Sequence, residues 1–534
     1  MRNPCLVALL VPCLLLPCTE ARIVCGQEPK TGAQAVGEIG ILEAVRTTLE
    51  LHPLLLAQQK QVEISRALKQ QSSSDFDPQL QLSAIHDRTN NPLTDAERYS
   101  ALQSGLAVDN QAFNLTTAAG SYQRLLRSGI AVGPTLEINR YTDNILNTLG
   151  ANRARIGFEV NVPLRRGKGR EVVTAYENSA QIGVEASLYD LNQTMAGLIL
   201  ATATSYWEYV ASLQQLAIIT GSEERGREFI ESIQTLIAAD RIPRNEINQV
   251  LANFASRTAT RISYEGKVAE SRNNLAVAMG LPPEQVVTLP QPADSFPDGE
   301  SATPPATSPE SIRAQIAQAL QRRTDFLAAE KRRDAADVLR YSARNGLLSK
   351  LDLVLSGGYS GLQEGRRPDE FLISPFTRAH GPDFTFGLRY TFPLGNNLAV
   401  GKLAEAEASY DQAVLICSER ARVIAGNVAN ALSAVYSSIH RLRKAGEAVT
   451  GYEAALEGEK DKLRLGVGSL TDTLLVEGRL TEVLLDRISA QLAFAVALVQ
   501  YRYAGGTLIS PNQPVQSIER DLFFRLPGGA VSRD

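Results

Sequence analysis

The sequence predicts a mainly α-helical protein with a small β part, built as two tandem structural repeats. Apolar residues recur at alternating spacings of four and three positions over long stretches, which is typical of coiled-coil helices. A short strand with a Pro-Leu corner, Ile156 to Leu164, occurs a second time as Phe386 to Leu394. The order helix, strand, strand, long helix, long helix also occurs twice, and internal duplication on this scale indicates a repeated architecture.

The composition excludes several classes of protein. The chain has 534 residues, 44% of them hydrophobic and 21% charged, so it can bury a large core. Its net charge of −4 gives no electrostatic case for nucleic acid as a partner. The four histidines are scattered without metal-ligand spacing, and the basic stretch Arg165–Arg170 lacks the spacing of a phosphate-binding loop. We therefore expect no metal, no cofactor and no enzymatic activity.

Residues 1–26 are typical of a secretory signal peptide. Arg2 precedes the apolar stretch Leu6–Leu16, which is too short to span a bilayer. Small residues near positions 21 and 26 offer two cleavage sites, and Cys18 or Cys25 could instead be lipidated. Only Cys417 lies clearly in the mature chain, which excludes an intramolecular disulfide framework.

The first repeat is predicted over residues 27–283. A helix at about 36–71 is interrupted at Pro53, and a strand follows at 79–83. A long polar connection, about 87–153, is expected at the outer face, and it contains a β-hairpin indicated at 115–124 and 129–141. After the strand that ends at Pro163, two long helices run to Met279 with a break near residues 239–243. The seam of the first long helix consists of Val184, Leu188, Leu191, Met195, Leu198 and Thr202.

The second repeat is predicted over residues 309–504, after a Pro- and Ser-rich linker at 284–308. It contains a helix at 309–344, a strand at 348–359 and the second copy of the repeated strand. A long helix then runs to a break at 465–469, and a last helix ends near Tyr503. The seam of that long helix consists of Tyr410, Val414, Cys417, Ala421, Ile424, Val428, Ala431 and Val435. Residues 505–534 are predicted to form an irregular tail.

The repeated strand has one apolar and one polar face. The apolar positions are Ile156, Phe158, Val160 and Val162 in the first copy, and Phe386, Leu388, Tyr390 and Phe392 in the second. Such a strand suits a sheet between two solvents, and it also suits a sheet on a soluble core. Because no apolar run beyond the signal reaches about 18 residues, the chain could enter a membrane only as β-structure. We therefore expect these eight side chains to face lipid, and Pro163 and Pro393 to mark the corners where strands meet helices.

The predicted strands require more than one chain. Four short strands cannot close a sheet, and open strand edges cannot lie in lipid. Three copies would supply twelve strands, so a homotrimer is the simple solution. Helical arms of 50 residues would extend about 75 Å from such a barrel. The sequence thus predicts a trimeric tube, with a long antiparallel coiled-coil helical barrel joined to a 12-stranded transmembrane β-barrel.

With these motifs in place, nearly the whole mature chain resembles the TolC family of outer-membrane efflux proteins. The marks are the corners Val162–Leu164 and Phe392–Leu394, the helix end Leu275–Pro282, and Leu465–Leu475. The last is similar to the family's Gly-x-Gly-[Ser/Thr] turn followed by Asp-x-Leu. The resemblance implies a homotrimer in outer-membrane lipid with a tunnel across the periplasm. A periplasmic adaptor and an inner-membrane pump would dock at the tunnel's closed tip.

The resemblance also implies roles for residues at the tip. The adaptor-docking turn would be Gly466, Val467, Gly468, Ser469 and Leu470. Asp472 would be the carboxylate that gates the tunnel, although the pattern equally allows it to cap the last helix. Leu475 stands where the family often has a second acidic residue, and the first-repeat tip at 239–244 lacks the glycines. The sequence favours a passive exit duct for efflux or secretion over a non-pore periplasmic coiled-coil scaffold or an exported enzyme.

Overall fold

A computed structural model describes residues 37–145, 149–239, 243–365, 367, 379–465, 467–509 and 518–527. The predicted signal peptide, its candidate lipidation cysteines Cys18 and Cys25, and the tip residue Gly466 lie outside these ranges.

Helices make up most of the described chain. The helices of the first repeat are α1 (Ile41–Leu51), α2 (Pro53–Ser72), α3 (Asp95–Gln103), α4 (Arg170–Val173), α5 (Ala175–Ala238) and α6 (Glu246–Ala278). Those of the second are α7 (Pro309–Arg322), α8 (Thr324–Gly346), α9 (Asn397–Arg464) and α10 (Leu470–Ala504). None of the helices within the described ranges is long and apolar enough to cross a membrane.

Two helix breaks have local causes. Pro53 separates α1 from α2, as predicted, and the Nδ1 atom of His52 accepts a hydrogen bond from the Leu54 amide at 3.2 Å. The single helix predicted at 309–344 is wrong, because Arg323 is extended between α7 and α8. Its buried guanidinium donates to Asp325 and to the carbonyl oxygen of Tyr503, which fixes the break against α10.

The long helices form two antiparallel pairs that pack together. Helix α5 has 64 residues and packs on α6, α8 and α10, whereas α9 has 68 residues and packs on α8 and α10. At 1.5 Å per residue, each of these two helices is about 100 Å long. In the predicted seam of α9, Cys417, Ile424 and Val428 are buried, although Val414 is 39% exposed.

A belt of buried residues joins the two repeats near the middle of α5. Trp207 is fully buried there, and its ring lies 5.7 Å from that of Phe296 and 5.6 Å from that of Phe524. Phe296 belongs to the segment predicted as a linker at 284–308, and Phe524 to the predicted tail. Apart from 3₁₀ turns at Pro283–Thr288 and Arg520–Phe523, both segments are irregular where described, yet their apolar side chains pack in the core.

All strands of the described chain form one antiparallel sheet with the order β1-β2-β3-β4-β5-β6. They are β1 (Gln79–Pro92), β2 (Asn110–Leu125), β3 (Ala131–Asp143), β4 (Ala151–Pro163), β5 (Lys350–Glu364) and β6 (Ala379–Thr391). The predicted hairpin is confirmed as β2 and β3. The predicted count of four strands is therefore wrong, because the connection at 87–153 contributes two full-length strands to the same sheet.

Candidate functional site

One face of the sheet is apolar across all six strands. The register places Phe158 beside Pro134 on one side and Gly357 on the other, with Phe384 next to Gly357. The large side chains on this face include Leu80, Leu82, Leu136, Ile156, Phe158, Tyr359, Phe384, Phe386, Leu388 and Tyr390, and each is at least 39% exposed. The predicted apolar positions on β4 and β6 share this face, although Phe392 lies one residue beyond the end of β6. A monomer in water would not leave so large an apolar face uncovered.

The opposite face of the sheet is mainly polar, although Ile85, Phe113 and Tyr141 also lie on it. Arg155 lies on β4, and its guanidinium reaches over β5 to Asp383 on β6, with Nε and Oδ2 3.0 Å apart. The side chain crosses a pair of glycines, Gly157 and Gly358, which face each other in the register. A Cβ atom on either glycine would lie 2.9 Å from a guanidinium nitrogen of Arg155. The two glycines therefore leave the space that this ion pair occupies.

The sheet has two open edges in the described chain. Strand β1 pairs only with β2, and β6 pairs only with β5, so neither outer edge has a partner strand. Unpaired edges next to an apolar face are a template for further pairing. A second copy of the chain can satisfy them by placing its β6 against β1.

The turn between β2 and β3 is anchored to the helical part. The guanidinium of Arg127 forms two hydrogen bonds with the Glu177 carboxylate on α5, at 2.9 and 2.7 Å. Gly129 has a φ of 92°, and a Cβ atom there would lie 2.5 Å from the Gly167 carbonyl oxygen. This turn therefore lies against the corner that follows Pro163, at the end of the sheet that joins the helices.

This anchor should weaken in acid. The hydrogen bonds from Arg127 hold the pKa of Glu177 below its usual range, with smaller contributions from Ser73 and Lys69. Because the folded pKa is lowered, the contribution is complete above the ordinary value of about 4.3 and is lost as pH falls through the folded value. A spin label at Ser128 should become more mobile over that range. In Glu177→Gln the label should be mobile at neutral pH, and equal mobility in both proteins at neutral pH would contradict the anchor.

The predicted corners lie where strands meet helices. The Leu164 amide, just after Pro163, donates to the Leu351 carbonyl oxygen at 2.8 Å. The amide of Gly167 donates to Oδ1 of Asn345 at the end of α8, also at 2.8 Å. Pro393 follows β6 and precedes α9. The first corner is thus tied to both repeats.

The second-repeat tip is the turn between α9 and α10. Leu465 and Val467 are 78% and 77% exposed, so the turn presents apolar side chains. Leu470 is buried in a small core with Ile233 and Val250, and therefore positions the tip without offering surface for docking. Ser469 caps α10 by accepting from the Thr471 amide at 3.2 Å. Asp472 is thus not the cap, and its side chain is exposed in the first turn of α10. The hydrogen bond from Lys462 to Glu459 raises the pKa of Lys462, and the charge of Asp472 adds a smaller effect in the same direction.

Gly468 is packed against the end of α9. Its amide donates to the Lys462 carbonyl oxygen at 3.0 Å, and a Cβ atom would lie 2.7 Å from the Leu463 nitrogen. We expect Gly468→Val to displace the turn and reduce transport at least tenfold, with assembly unchanged. Export of a fluorescent substrate and native gel migration measure the two effects. Gly458→Val on α9 is the matched control, because a Cβ atom there meets open space. Loss of assembly in Gly468→Val would contradict this assignment.

A buried ion-pair network lies about two turns from the tip. Oε1 of Glu477 on α10 accepts from Nε of Arg225 on α5 at 3.1 Å, and Oε2 forms an ion pair with Arg257 on α6. Ser222 also donates to Oε1 at 3.1 Å. No sequence pattern indicated this network, because its partners lie on helices far apart in the chain. Within the described residues, no group of three or more His, Cys, Asp or Glu side chains could hold a metal ion.

Comparisons with known proteins agree with this architecture. Residues 315–507 match the family model for outer membrane efflux proteins. No curated protein sequence matches the chain.

Several solved structures share the fold over most of the chain. The outer-membrane channel OprN is 16% identical with a TM-score of 0.62, covering 88% of this chain and 90% of its own. The outer membrane protein VceC from Vibrio cholerae is 16% identical with a TM-score of 0.61, covering 87% and 96%. The open-state outer membrane channel MtrE from Neisseria gonorrhoeae is 16% identical with a TM-score of 0.60, covering 90% and 95%. The predicted resemblance is thereby confirmed: the chain carries an outer membrane efflux protein domain at residues 315–507 and has, over most of its length, the fold of outer-membrane channels.

Proposed function

We propose that the protein is the outer-membrane channel of a tripartite efflux or secretion system, a passive exit duct through the outer membrane and across the periplasm. The observation that carries this proposal is the six-stranded sheet, which has one apolar face, one mainly polar face and, within the described residues, two edges without a partner strand. An apolar face can meet lipid while the polar face lines water. A passive duct carries out no reaction, so no catalytic residue is assigned.

The unpaired edges support assembly into a homotrimer. In lipid, every strand edge needs a partner because no water is present to satisfy its amides and carbonyls. Pairing β6 of one protomer with β1 of the next closes the wall. The long helices α5, α6, α9 and α10 would continue from this wall as the periplasmic tunnel. The fold shared with known outer-membrane channels supports the same arrangement.

The second-repeat tip is proposed as the docking site for a periplasmic adaptor, which connects the duct to an inner-membrane pump. Val467 is exposed, and Gly468 and Ser469 shape the turn that presents it. Asp472 is proposed as the gate residue because its carboxylate is exposed in the first turn of α10. Three such carboxylates around an axis would favour cations over anions. Gly466 is part of the same proposal and lies outside the described residues.

Membrane fractionation separates this proposal from a soluble coiled-coil scaffold. We expect the protein to fractionate with the outer membrane, to need detergent for extraction and to migrate on gels in a heat-modifiable way. Complete extraction by salt or alkali without detergent would contradict the proposal that the protein is a membrane channel. A scaffold would not require a sheet with a continuous apolar face.

A charge on the apolar face tests which side meets lipid. Phe386 lies near the middle of β6 and is 64% exposed. Phe386→Arg should cost about 2–4 kcal/mol of folding free energy in the bilayer. The matched change Thr385→Arg places the same charge on the opposite face and should be tolerated. Equal amounts of folded, heat-modifiable protein in outer membranes for both variants would contradict the assignment of faces.

A further inference from the structure

We infer that the β2–β3 hairpin is part of the membrane wall, so that a closed trimer has an 18-stranded barrel with a wider lumen. This inference rests on the proposed function. It replaces the expectation that residues 87–153 form a loop at the outer face and that three chains supply twelve strands.

The hairpin lies inside the sheet. Strand β2 pairs along its length with β1, and β3 pairs with β4 from Ala131↔Asn161 to Tyr141↔Ala151. Removing the hairpin would therefore leave β1 and β4 without direct contact. A flap folded over the mouth of the channel would leave those two strands paired with each other.

The register also determines which side chains of the hairpin lie on each face of the wall. Leu136 on β3 stands beside Ile156 of β4, and Thr135 stands beside Gly157. On β2, Tyr122 lies opposite Leu80 of β1. In the half of the hairpin nearer the helices, Tyr122 and Leu136 thus continue the apolar face of their neighbours, whereas Phe113 and Tyr141 near the outer end lie on the opposite face.

The hairpin spans the full height of the sheet. Strands β2 and β3 have 16 and 13 residues, compared with 14 in β1 and 13 in β4. A transmembrane β-strand needs about 9–11 residues. The turn at one end is held at the helical side by Arg127 and Glu177, 2.7 Å apart. The hairpin therefore reaches from the outer end of the sheet to the corner where the helices begin.

The added strands change the dimensions of the duct. Three six-stranded sheets joined edge to edge contain eighteen strands. Because barrel diameter grows roughly linearly with strand number, this wall would be about 1.5-fold wider than a 12-stranded one.

Single cysteines carrying an environment-sensitive fluorophore test the inference in full-length protein reconstituted into vesicles. The background is Cys417→Ala, which removes the buried native thiol, together with Cys25→Ser, because cleavage near position 21 would leave Cys25 in the mature chain. The hairpin sites are Leu136→Cys and Thr135→Cys, and the matched sites on β6 are Phe386→Cys and Thr385→Cys. Heat-modifiable migration shows that each variant has assembled. Quenching is measured with spin-labelled lipid and with aqueous iodide.

The expected result is the same alternation on both strands: labels at positions 136 and 386 are quenched by lipid, and those at 135 and 385 by iodide. If position 386 is quenched by lipid while positions 135 and 136 are both quenched only by iodide, the hairpin lies outside the wall and the duct still stands. If all four labels are quenched by iodide alone, the sheet is not in the membrane. That last result overturns both the inference and the proposed function.

Discussion

Replacing Trp207 with alanine is expected to lower the free energy of unfolding by about 3–5 kcal/mol. The indole is fully buried in the belt, with the Tyr206 ring 5.3 Å away at nearly a right angle and the Phe296 ring stacked on it. Its removal leaves a cavity at the junction of α5 with the segment before α7 and the chain after α10. Apart from one β-bridge between Ile39 and Pro292, the described parts of those segments have no strand pairing, so side-chain packing holds them in place.

Denaturant titration of the detergent-solubilised protein, followed by circular dichroism, measures this loss. Tyr176→Ala is the matched control, because Tyr176 lies on the same helix and is 61% exposed. Its effect should stay within about 0.5 kcal/mol. Similar decreases in the free energy of unfolding in the two variants would show that packing around Trp207 contributes no more to stability than an exposed position on the same helix.

Replacing Glu477 with alanine is expected to lower the free energy of local unfolding at the tip by about 3–5 kcal/mol. The change leaves a buried arginine without its counter-charge. The Glu477 side chain is only 10% exposed, and that of Arg257 is 13% exposed. Since this carboxylate joins α10 to α5 and α6, its loss should let the helical pairs separate near the tip. The expected functional result is leakage through the tunnel without a docked partner.

Hydrogen exchange and bilayer conductance measure the two consequences. Exchange should rise in residues 222–229 and 470–477 while remaining unchanged around Trp207. The control is Glu482→Ala on the same helix, whose ion pair with Arg479 is exposed and worth at most about 1 kcal/mol. Unchanged exchange near the tip in Glu477→Ala would contradict the role of the network.

Periodic and local features could be predicted from the sequence. The seam through Ile424 and Val428 repeats over many turns, and Pro53 and the Pro163 corner are local signals. The strand count could not be predicted as easily. On β2 the apolar face is built from Thr116, Ala118 and Gly120, which give little contrast between the two faces.

Contacts between distant parts of the chain left no signal in the sequence. Arg155 and Asp383 are 228 positions apart, and Arg225 and Glu477 are 252 apart. Which charges meet depends on strand register and helix packing, and both are set by the whole fold. Arg323 illustrates the same limit, because its contact with Tyr503 interrupts a helical pattern that continues through it.

Electron cryo-microscopy of the protein in lipid nanodiscs tests the central claim most directly. The expected result is a three-fold tube whose β-wall lies within the disc, with Phe386 toward lipid, Arg155 and Asp383 toward the lumen, and β6 of each protomer paired with β1 of the next. A sheet that lies outside the disc, or an assembly whose wall encloses no lumen, would contradict the account.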